Sequence, residues 1–395
     1  MRPQTGACVL LVALAASLHA GEEQPMPPNA ALKYWQAATL LPDDTDNKQA
    51  KLFARPELPE TAEFVRSCGQ ALMFLHQGAA IRRSDWGVAY ELGMEMPLPH
   101  LAKMRRLARA AVISAQYEFG RKDYKAGVER AFDILALARH AGGGNLLIGR
   151  LVEVAITSMA VDVLASNLPG CPPEVLDTIP ARFPCLRPSA LVDEVVSADQ
   201  RVLAESFRSL FRKGDVDHFP DIMAGVVGNG ELKPEDRARA EAFWKGLFGN
   251  EAKLDAVFNE MGQLNNELAA IMASPGRQHE AALAGLDEKI KAANLVARLV
   301  LPVYIRSWRS VAASDVRQRL LESAADVVRS GPQAIAKHKD PFGDGPFVYI
   351  KRGAGFELQS ALPGQNDQKV KLSVGEPQQP RLDQADQRPV KPPAP

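Results

Sequence analysis

Acidic and imidazole side chains that could act as general acids and bases gather in one irregular segment in the first half of the chain. Asp85, Glu91 and Glu95 lie within it, and His100 follows shortly after. Paired carboxylates can cleave glycosidic bonds once burial separates their pKa values. The segment is therefore a candidate catalytic cleft, and the alternative is a solvated loop with Trp86 packed beneath it.

A second cluster has the chemistry of a metal site. Potential ligands for a divalent ion lie within one short stretch at Asp215, Asp217, His218 and Asp221. This stretch separates two predicted helices, where Asp commonly caps a helix start and charged groups commonly face water. Both interpretations stay open from the sequence, which indicates no cofactor elsewhere.

The short motifs of several large enzyme classes are absent. The chain contains no HExxH, GxSxG, SxxK, P-loop, GxGxxG or CxxC pattern. His140 followed by Gly142, Gly143 and Gly144 is faintly similar to an oxyanion-hole loop, but a helix stopped by glycine explains these residues better. The sequence therefore favours a protein that is not an enzyme.

Charge and composition narrow the classes of partner. Lys plus Arg and Asp plus Glu each number 47, so the chain has no net charge and no basic arm that would attract nucleic acid. With 46% hydrophobic and 24% charged residues, the composition is that of an ordinary globular protein. We expect a protein or peptide partner and no nucleic acid.

The N-terminus has the pattern of a signal peptide. Arg2 is the only charged residue before Ala20, and residues 7–18 form an apolar run. Residues 1–20 are therefore predicted to be removed on export, which places the protein in the periplasm or outside the cell. The most apolar later segment, 146–168, carries three charged residues, so we expect no transmembrane anchor after cleavage.

Cysteine usage allows one disulfide. Cleavage of the signal peptide leaves Cys68, Cys171 and Cys185. Cys68 falls within an apolar helical pattern and is predicted to be buried. A bond between Cys171 and Cys185 would close a Pro-rich loop and stabilise it by about 3 kcal/mol in an oxidising compartment.

Apolar residues recur at helical spacing from Asn29 to about His338, which predicts an all-α body built as a multi-helix array or bundle of antiparallel hairpins. The most apolar helix, 146–168, should be central. Helices are also predicted over 278–301, where Pro302 should kink or end the helix, and over 314–337. The Pro-rich stretch after Pro169 suggests two helical subdomains, 21–170 and 171–340.

The composition changes after Lys339. Two short runs rich in β-formers surround Gly353 and Ala354, which predicts a β-hairpin within 341–362. The segment 363–395 is rich in proline and glutamine, and it has few large apolar residues that could offset its ordering entropy. We therefore predict a disordered tail over 363–395.

Several segments together resemble a group of uncharacterised secreted helical proteins from planctomycete-like bacteria. The similarity is carried by NAALKYWQA, by LPHLAKMRRLARAA, by LARHAGGGNLLIGRLVEVAI and by DPFGDGPFVYIKRGAGFELQS. It covers most of the chain after the signal peptide. The resemblance implies export and a helical body, and it supplies no reaction.

The segment from Asp340 is separately similar to the end of type II secretion pseudopilins, where an Asp-Pro-aromatic turn leads into a hairpin and a calcium loop. Asp340, Pro341 and Phe342 match that turn, and the resemblance implies the hairpin. The following ALPGQNDQ offers only Asn366 and Asp367 as obvious oxygen donors, whereas calcium takes six to eight. We therefore do not carry over the calcium.

These observations favour a non-catalytic protein of the cell envelope or periplasm, acting as an interaction or scaffold protein for a protein or peptide partner. The alternative is a hydrolase or lyase that acts on envelope glycans with carboxylates of the segment 85–95. The two differ in one structural requirement. An enzyme needs buried, converging ionisable side chains, whereas an interaction protein needs an exposed apolar face.

Overall fold

A computed structural model describes the body of the chain. The residues described are 27–43, 52–53, 55–186, 192–213, 219–220, 223–224, 234–247, 249–274, 276, 278–364 and 368–376. Within them lie the α-helices α1 (Ala30–Thr39), α2 (Pro59–Ser67), α3 (Gly69–Ala79), α4 (Pro99–Gly120), α5 (Tyr124–Ala141), α6 (Leu147–Asn167), α7 (Pro173–Leu176), α8 (Val192–Lys213), α9 (Pro234–Leu247), α10 (Glu251–Ala273), α11 (His279–Ala292) and α12 (Leu295–Ser330).

Short 3-10 helices span Tyr90–Glu95, Leu168–Gly170, Pro180–Leu186 and Pro332–Lys337. The strands are β1 (Val348–Arg352), β2 (Gly355–Pro363) and β3 (Lys369–Val374). The predicted all-α class with a small C-terminal β element is confirmed. No helix in the described part of the chain combines the length and apolar character needed to cross a membrane.

Helix boundaries follow from capping residues. The side chain of Asn294 accepts a hydrogen bond from the backbone N–H of Ala297 and begins α12, so the helix predicted over 278–301 is in fact two helices. Pro302 lies inside α12, so it does not end a helix, and the alternative that it kinks the helix stays a prediction. The helix predicted over 314–337 ends at Ser330, because Gly331 adopts a φ of 91°.

The helices surround two hydrophobic cores. The first core contains side chains of α1 to α6, of the sheet and of the second half of α12, from Val316 onwards. The second contains side chains of α8 to α11, Leu147 at the start of α6 and the first half of α12, up to Val311. Because α12 contributes to both cores, the residues of the second core lie in the sequence between two groups of residues of the first core.

Charged residues on α6 are buried against α12 or against α6 itself. Asp162 pairs with Arg317 of α12, and Arg150 pairs with Glu153 one turn along α6. All four residues are less than 10% exposed. Buried charges of this kind are tolerated only when they are paired, so these contacts restrict how α6 can lie on α12.

A second polar contact joins the two cores at the start of α6. Asp199 of α8 accepts hydrogen bonds from the backbone N–H of Leu147 at 3.2 Å and from the hydroxyl of Tyr304 at 2.5 Å. Asp199 therefore faces the N-terminus of α6, where a carboxylate is favourable.

The C-terminal residues form a three-stranded antiparallel sheet in the order β1-β2-β3. The predicted hairpin is confirmed as β1 and β2, which pair from Val348 with Gln359 to Arg352 with Gly355. The prediction of disorder over all of 363–395 was wrong for β3. Val370, Leu372 and Val374 alternate along this strand and are buried against the first core, which stabilises a segment that composition alone made look disordered.

The Asp-Pro-aromatic turn is held to the sheet by one carboxylate. The Asp340 side chain is buried and accepts hydrogen bonds from the Phe342 N–H at 3.0 Å, the Ser360 hydroxyl at 2.8 Å and the Ala361 N–H at 2.6 Å. Asn366 and Asp367, the remaining oxygen donors of the pseudopilin comparison, lie outside the described residues. In the described part of the turn, Asp340 therefore acts as a structural acceptor.

Replacing Asp340 by Ala should destabilise the protein by about 2 to 4 kcal/mol, because three donors lose their acceptor in a buried site. Urea unfolding followed by circular dichroism measures this. The exposed carboxylate of Glu376, just after β3 of the same sheet, is the control, and its change to Ala should cost less than about 0.5 kcal/mol. Equal losses for the two variants would contradict the role given to Asp340.

Candidate functional site

The irregular segment that contains the predicted carboxylates is fixed to the start of α1. The side-chain amide of Asn29 donates to the carbonyl oxygen of Asp85 at 2.8 Å, and the Asp85 N–H donates to the Asn29 side-chain oxygen at 2.9 Å. The same oxygen of Asn29 accepts from the Ala31 N–H and caps α1. One asparagine therefore begins a helix and holds the loop beside it.

Trp86 fixes the next part of the segment. Its ring stacks on His100 with centroids 4.7 Å apart and an interplanar angle of 14°. Its Nε1–H donates to the carbonyl oxygen of His140 at 2.7 Å. The hydroxyl of Tyr34 lies 2.8 Å from His140 Nδ1. The predicted packing of Trp86 beneath the loop is what the structure has, with two histidines and a tyrosine as its neighbours.

Burial keeps the groups of this aromatic cluster neutral. It lowers the pKa of His100 from 6.5 to about 4. Burial, with the positive charge of Arg139, likewise lowers the pKa of His140 to about 4. Burial also raises the pKa of Tyr34 far above its usual value of 10. A general acid or base works best with a pKa near the working pH, so the arrangement suits packing better than proton transfer.

The glycines after α5 act as a helix stop, as expected from the sequence. The helix ends at Ala141, and the Gly142 N–H bonds to the carbonyl of Ala138. Gly142 also leaves room for the side chain of Glu153, which would collide with a Cβ at this position. Burial raises the pKa of Glu153 to about 7, although the neighbouring Arg150 opposes this rise. Glu153 thus has the burial that a catalytic carboxyl needs, but it forms an ion pair with Arg150 of the same helix, and both side chains are buried.

The 3-10 helix Tyr90–Glu95 is anchored at both ends. The Tyr90 hydroxyl donates to the carbonyl of Gly144 at 2.6 Å. The Met94 N–H donates to the hydroxyl oxygen of Ser206 on α8 at 2.9 Å. Gly93 has a φ of 60° and lies so close to Ser206 that a Cβ would not fit. We call residues 84–95, held between α1, α5 and α8, the braced loop.

The braced loop carries apolar side chains that face solvent. The exposed fractions are 43% for Tyr90, 52% for Leu92 and 36% for Met94. Ile148, on the first turn of α6 and four residues after Gly144, is 49% exposed. Most large apolar residues of the described chain are buried, so the braced loop is set apart by exposing Tyr90, Leu92 and Met94 within five residues of fixed backbone.

The predicted catalytic residues do not share one environment. Asp85 accepts from the Gly87 N–H at 3.0 Å and contacts the guanidinium of Arg83 at 3.4 Å, and its side chain is 57% exposed. Glu91 and Glu95 are also exposed on the 3-10 helix, whereas His100 is buried under Trp86. In a catalytic pair of carboxyl groups, burial makes one of them the acid. Asp85, Glu91 and Glu95 are all exposed, so none of the three is buried in this way.

The predicted metal ligands are not tested by the structure, because 214–218 and 221–222 lie outside the described residues. Among the residues that are described, no group of three or more His, Cys, Asp or Glu side chains could hold a metal ion. The metal site at Asp215, Asp217, His218 and Asp221 therefore stays a prediction.

The predicted disulfide is also untested. Cys171 is buried as a thiol, and its Sγ lies 3.5 Å from the carbonyl oxygen of Asn167. Burial raises the pKa of this thiol to about 11, which makes it a poor nucleophile. The side chain of Cys185 lies outside the described residues, so the bond between Cys171 and Cys185 stays a prediction. Cys68 is buried, as predicted.

Sequence reasoning missed the long-range partners that hold the braced loop. Asn29 and Asp85 are 56 positions apart, and Met94 and Ser206 are 112 apart. No local pattern reveals such pairs. The available signals were the helix cap at Asn29 and the glycine stop after His140, both of which turn out to mark ends of elements that meet at the loop.

Comparison with known proteins adds no assignment, since no family model, no curated protein and no solved structure matches the chain.

The neutral histidines predict a pH dependence of stability. The unfolded chain protonates His100 below pH 6.5, whereas the folded protein resists protonation until about pH 4. Stability from this residue is therefore present above pH 6.5 and is lost as the pH falls towards 4. His100→Phe retains the stacking on Trp86 and removes the titration. As the pH falls from 7.5 to 5, the free energy of unfolding of the variant minus that of wild type should therefore rise by about 1 kcal/mol, after allowance for solvent screening.

Urea unfolding at a series of pH values measures this difference. Between pH 7.5 and 8.5 the difference between variant and wild type should stay constant, which serves as the internal control. A difference that is also constant down to pH 5 would show that His100 is free to protonate in the folded protein.

Proposed function

We propose that the protein is an exported, non-catalytic interaction protein of the cell envelope, and that the braced loop binds its partner. The observation that carries the proposal is the exposure of three large apolar side chains, Tyr90, Leu92 and Met94, on this one short loop. Export is supported by the signal-peptide pattern of residues 1–20, which lie outside the described residues.

Rigidity supports a binding role for this surface. Hydrogen bonds from Asn29, Trp86, Tyr90 and Met94 fix the backbone of the loop at separate points. A loop that is already ordered loses little conformational entropy when a partner binds. The exposed apolar side chains would then gain burial without a large ordering cost.

The charges around the surface indicate the chemistry of the partner. Glu91 and Glu95 are exposed and alternate with the apolar residues, and Asp85 is exposed at the other end of the loop. A partner of complementary charge would present an apolar peptide segment flanked by Lys or Arg. In this arrangement the carboxylates steer association, and the apolar side chains supply most of the affinity.

Affinity capture from envelope extract tests the proposal when it is run with matched variants. The variant Leu92→Asp with Met94→Asp should lose a specific protein that wild type retains, with binding of that purified protein weakened at least about tenfold. Val348→Asp is the control, because Val348 is 49% exposed on β1, and the C-terminal sheet is not among the elements that hold the loop. It should retain the partner.

Changing Glu91 and Glu95 to Gln should slow association and reduce its dependence on salt without abolishing binding. Two results would contradict the proposal. One is retention of every captured protein by Leu92→Asp with Met94→Asp. The other is recovery of a glycan that is lost, or cleaved no longer, when Glu91 and Glu95 become Gln, which would support the hydrolase or lyase instead.

A further inference from the structure

A groove of about 520 Å³ lies at the C-terminal end of α4, whereas the braced loop precedes the start of that helix. The groove runs between the start of α2 and the end of α4. Its floor brings Gly120 close to Pro56, where a Cβ on the glycine would lie 3.5 Å from the proline ring. The residues that form its walls are Pro56, Glu57, Pro59, Tyr117 and Arg121.

The walls combine an aromatic platform with one acidic group. The guanidinium of Arg121 lies over the ring of Tyr117, with its carbon 5.4 Å from the ring centroid, and this contact orients the ring. Pro56 and Pro59 add rigid apolar surface, and Glu57 is exposed at the rim. The charges of Glu57 and Arg121 balance, and Arg121 is engaged over the Tyr117 ring, which leaves the exposed Glu57 carboxylate for a basic side chain. A groove that offers an aromatic ring, proline surface and one exposed carboxylate suits a proline-rich segment that carries basic residues, because such a segment is already extended before it binds.

The chain contains a segment with this chemistry. Residues 386–395 read DQRPVKPPAP after Ala385, with four prolines and the basic residues Arg388 and Lys391. We propose that the proline-rich segment 386–395 docks in the groove between α2 and α4, with its prolines against Tyr117 and a basic side chain paired with Glu57.

The end of β3, from which the tail continues, lies near the groove. The Gly375 N–H bonds to the carbonyl of Ala165 at 3.0 Å, and Gly375 packs against Pro169 at the end of α6. The next residue, Gly170, lies against Tyr124, and a Cβ there would be 3.3 Å from its ring. The Tyr124 ring is 6.4 Å from that of Phe119, which adjoins Gly120 of the groove.

These neighbouring contacts place the end of the sheet and the groove at the same end of the helices. Residues 377–395 lie outside the described residues. In an extended proline-rich conformation a segment of that length spans about 59 Å, since each residue adds about 3.1 Å. The tail is therefore long enough to reach the groove from Gly375 without movement of the helical body.

Photo-cross-linking in the full-length chain tests the docking. A benzoylphenylalanine introduced at Ala394 is irradiated in dilute protein, and the attachment sites are mapped by mass spectrometry. Cross-links should concentrate within 56–62 and 117–121 of the same molecule. Tyr117→Ala and Glu57→Lys should each lower their yield at least about fivefold.

Two further variants separate docking from general effects on folding. Glu322→Lys, an equivalent charge change at an exposed site on α12, should leave the yield unchanged. Pro392→Ala with Pro393→Ala, located in the tail, should lower it at least about threefold without affecting the helical body. Combining Glu57→Lys with Arg388→Glu and Lys391→Glu should restore cross-linking.

Cross-links that spread over other surfaces would overturn the proposal, and so would cross-links formed only between molecules. The proposal would also be overturned if the yield of cross-links in the groove stayed unchanged both when Pro392 and Pro393 are replaced and when Glu57 is changed to Lys. The braced loop takes no part in this experiment, so the docking proposal and the proposed function fail or succeed separately.

Discussion

The ion pair between Asp162 and Arg317 is the contact on which the arrangement of the helices depends. It joins α6 to α12, and both side chains are about 7% exposed. A charge buried without its partner costs several kcal/mol, so α6 and α12 can pack only in an alignment that brings the two residues together. Because α12 extends through both hydrophobic cores, the same contact sets how the two cores are joined.

The position of the braced loop follows from that alignment. Once α6 is fixed on α12, its first residue meets Asp199 of α8, and the hydroxyl of Tyr304 on α12 completes the contact. α8 then lies where Ser206 can accept from the loop backbone at Met94. The surface offered by Tyr90, Leu92 and Met94 is thus a consequence of buried polar contacts on other helices.

The histidine and tyrosine cluster has a different role. His100, His140 and Tyr34 fill the space between the loop and α5, and burial holds all three neutral at ordinary pH. Neutral rings can stack and accept hydrogen bonds without the desolvation cost of a charge. The cluster therefore stabilises the loop, and the exposed carboxylates beside it are left to interact with solvent or a partner.

The sequence was informative where local patterns decide the structure. Apolar spacing identified the helical body, Asn29 and the glycines after His140 marked helix ends, and the runs around Gly353 identified the hairpin. It failed where distant residues decide. β3 is ordered because Val370 and Leu372 meet the first core, and α12 continues through Pro302 because packing in the second core outweighs one lost hydrogen bond.

The candidate site was located by sequence but its chemistry was not. Asp85, Glu91 and Glu95 lie in the segment that exposes Tyr90, Leu92 and Met94, and all three carboxylates are exposed. The residues that brace it come from α1, α5 and α8, and no spacing in the sequence indicates that these elements meet. Burial, the property that separates a catalytic carboxyl from a steering one, depends on those distant contacts.

A double-mutant cycle on Asp162 and Arg317 tests the central claim most directly. Asp162→Leu and Arg317→Met should each lower the free energy of unfolding by about 3 to 5 kcal/mol, because each removes one partner of a buried ion pair. The double variant should lose much less than the sum, with a coupling energy above about 2 kcal/mol. Losses that add to within about 0.5 kcal/mol would show that the pair does not set the packing of α6 on α12.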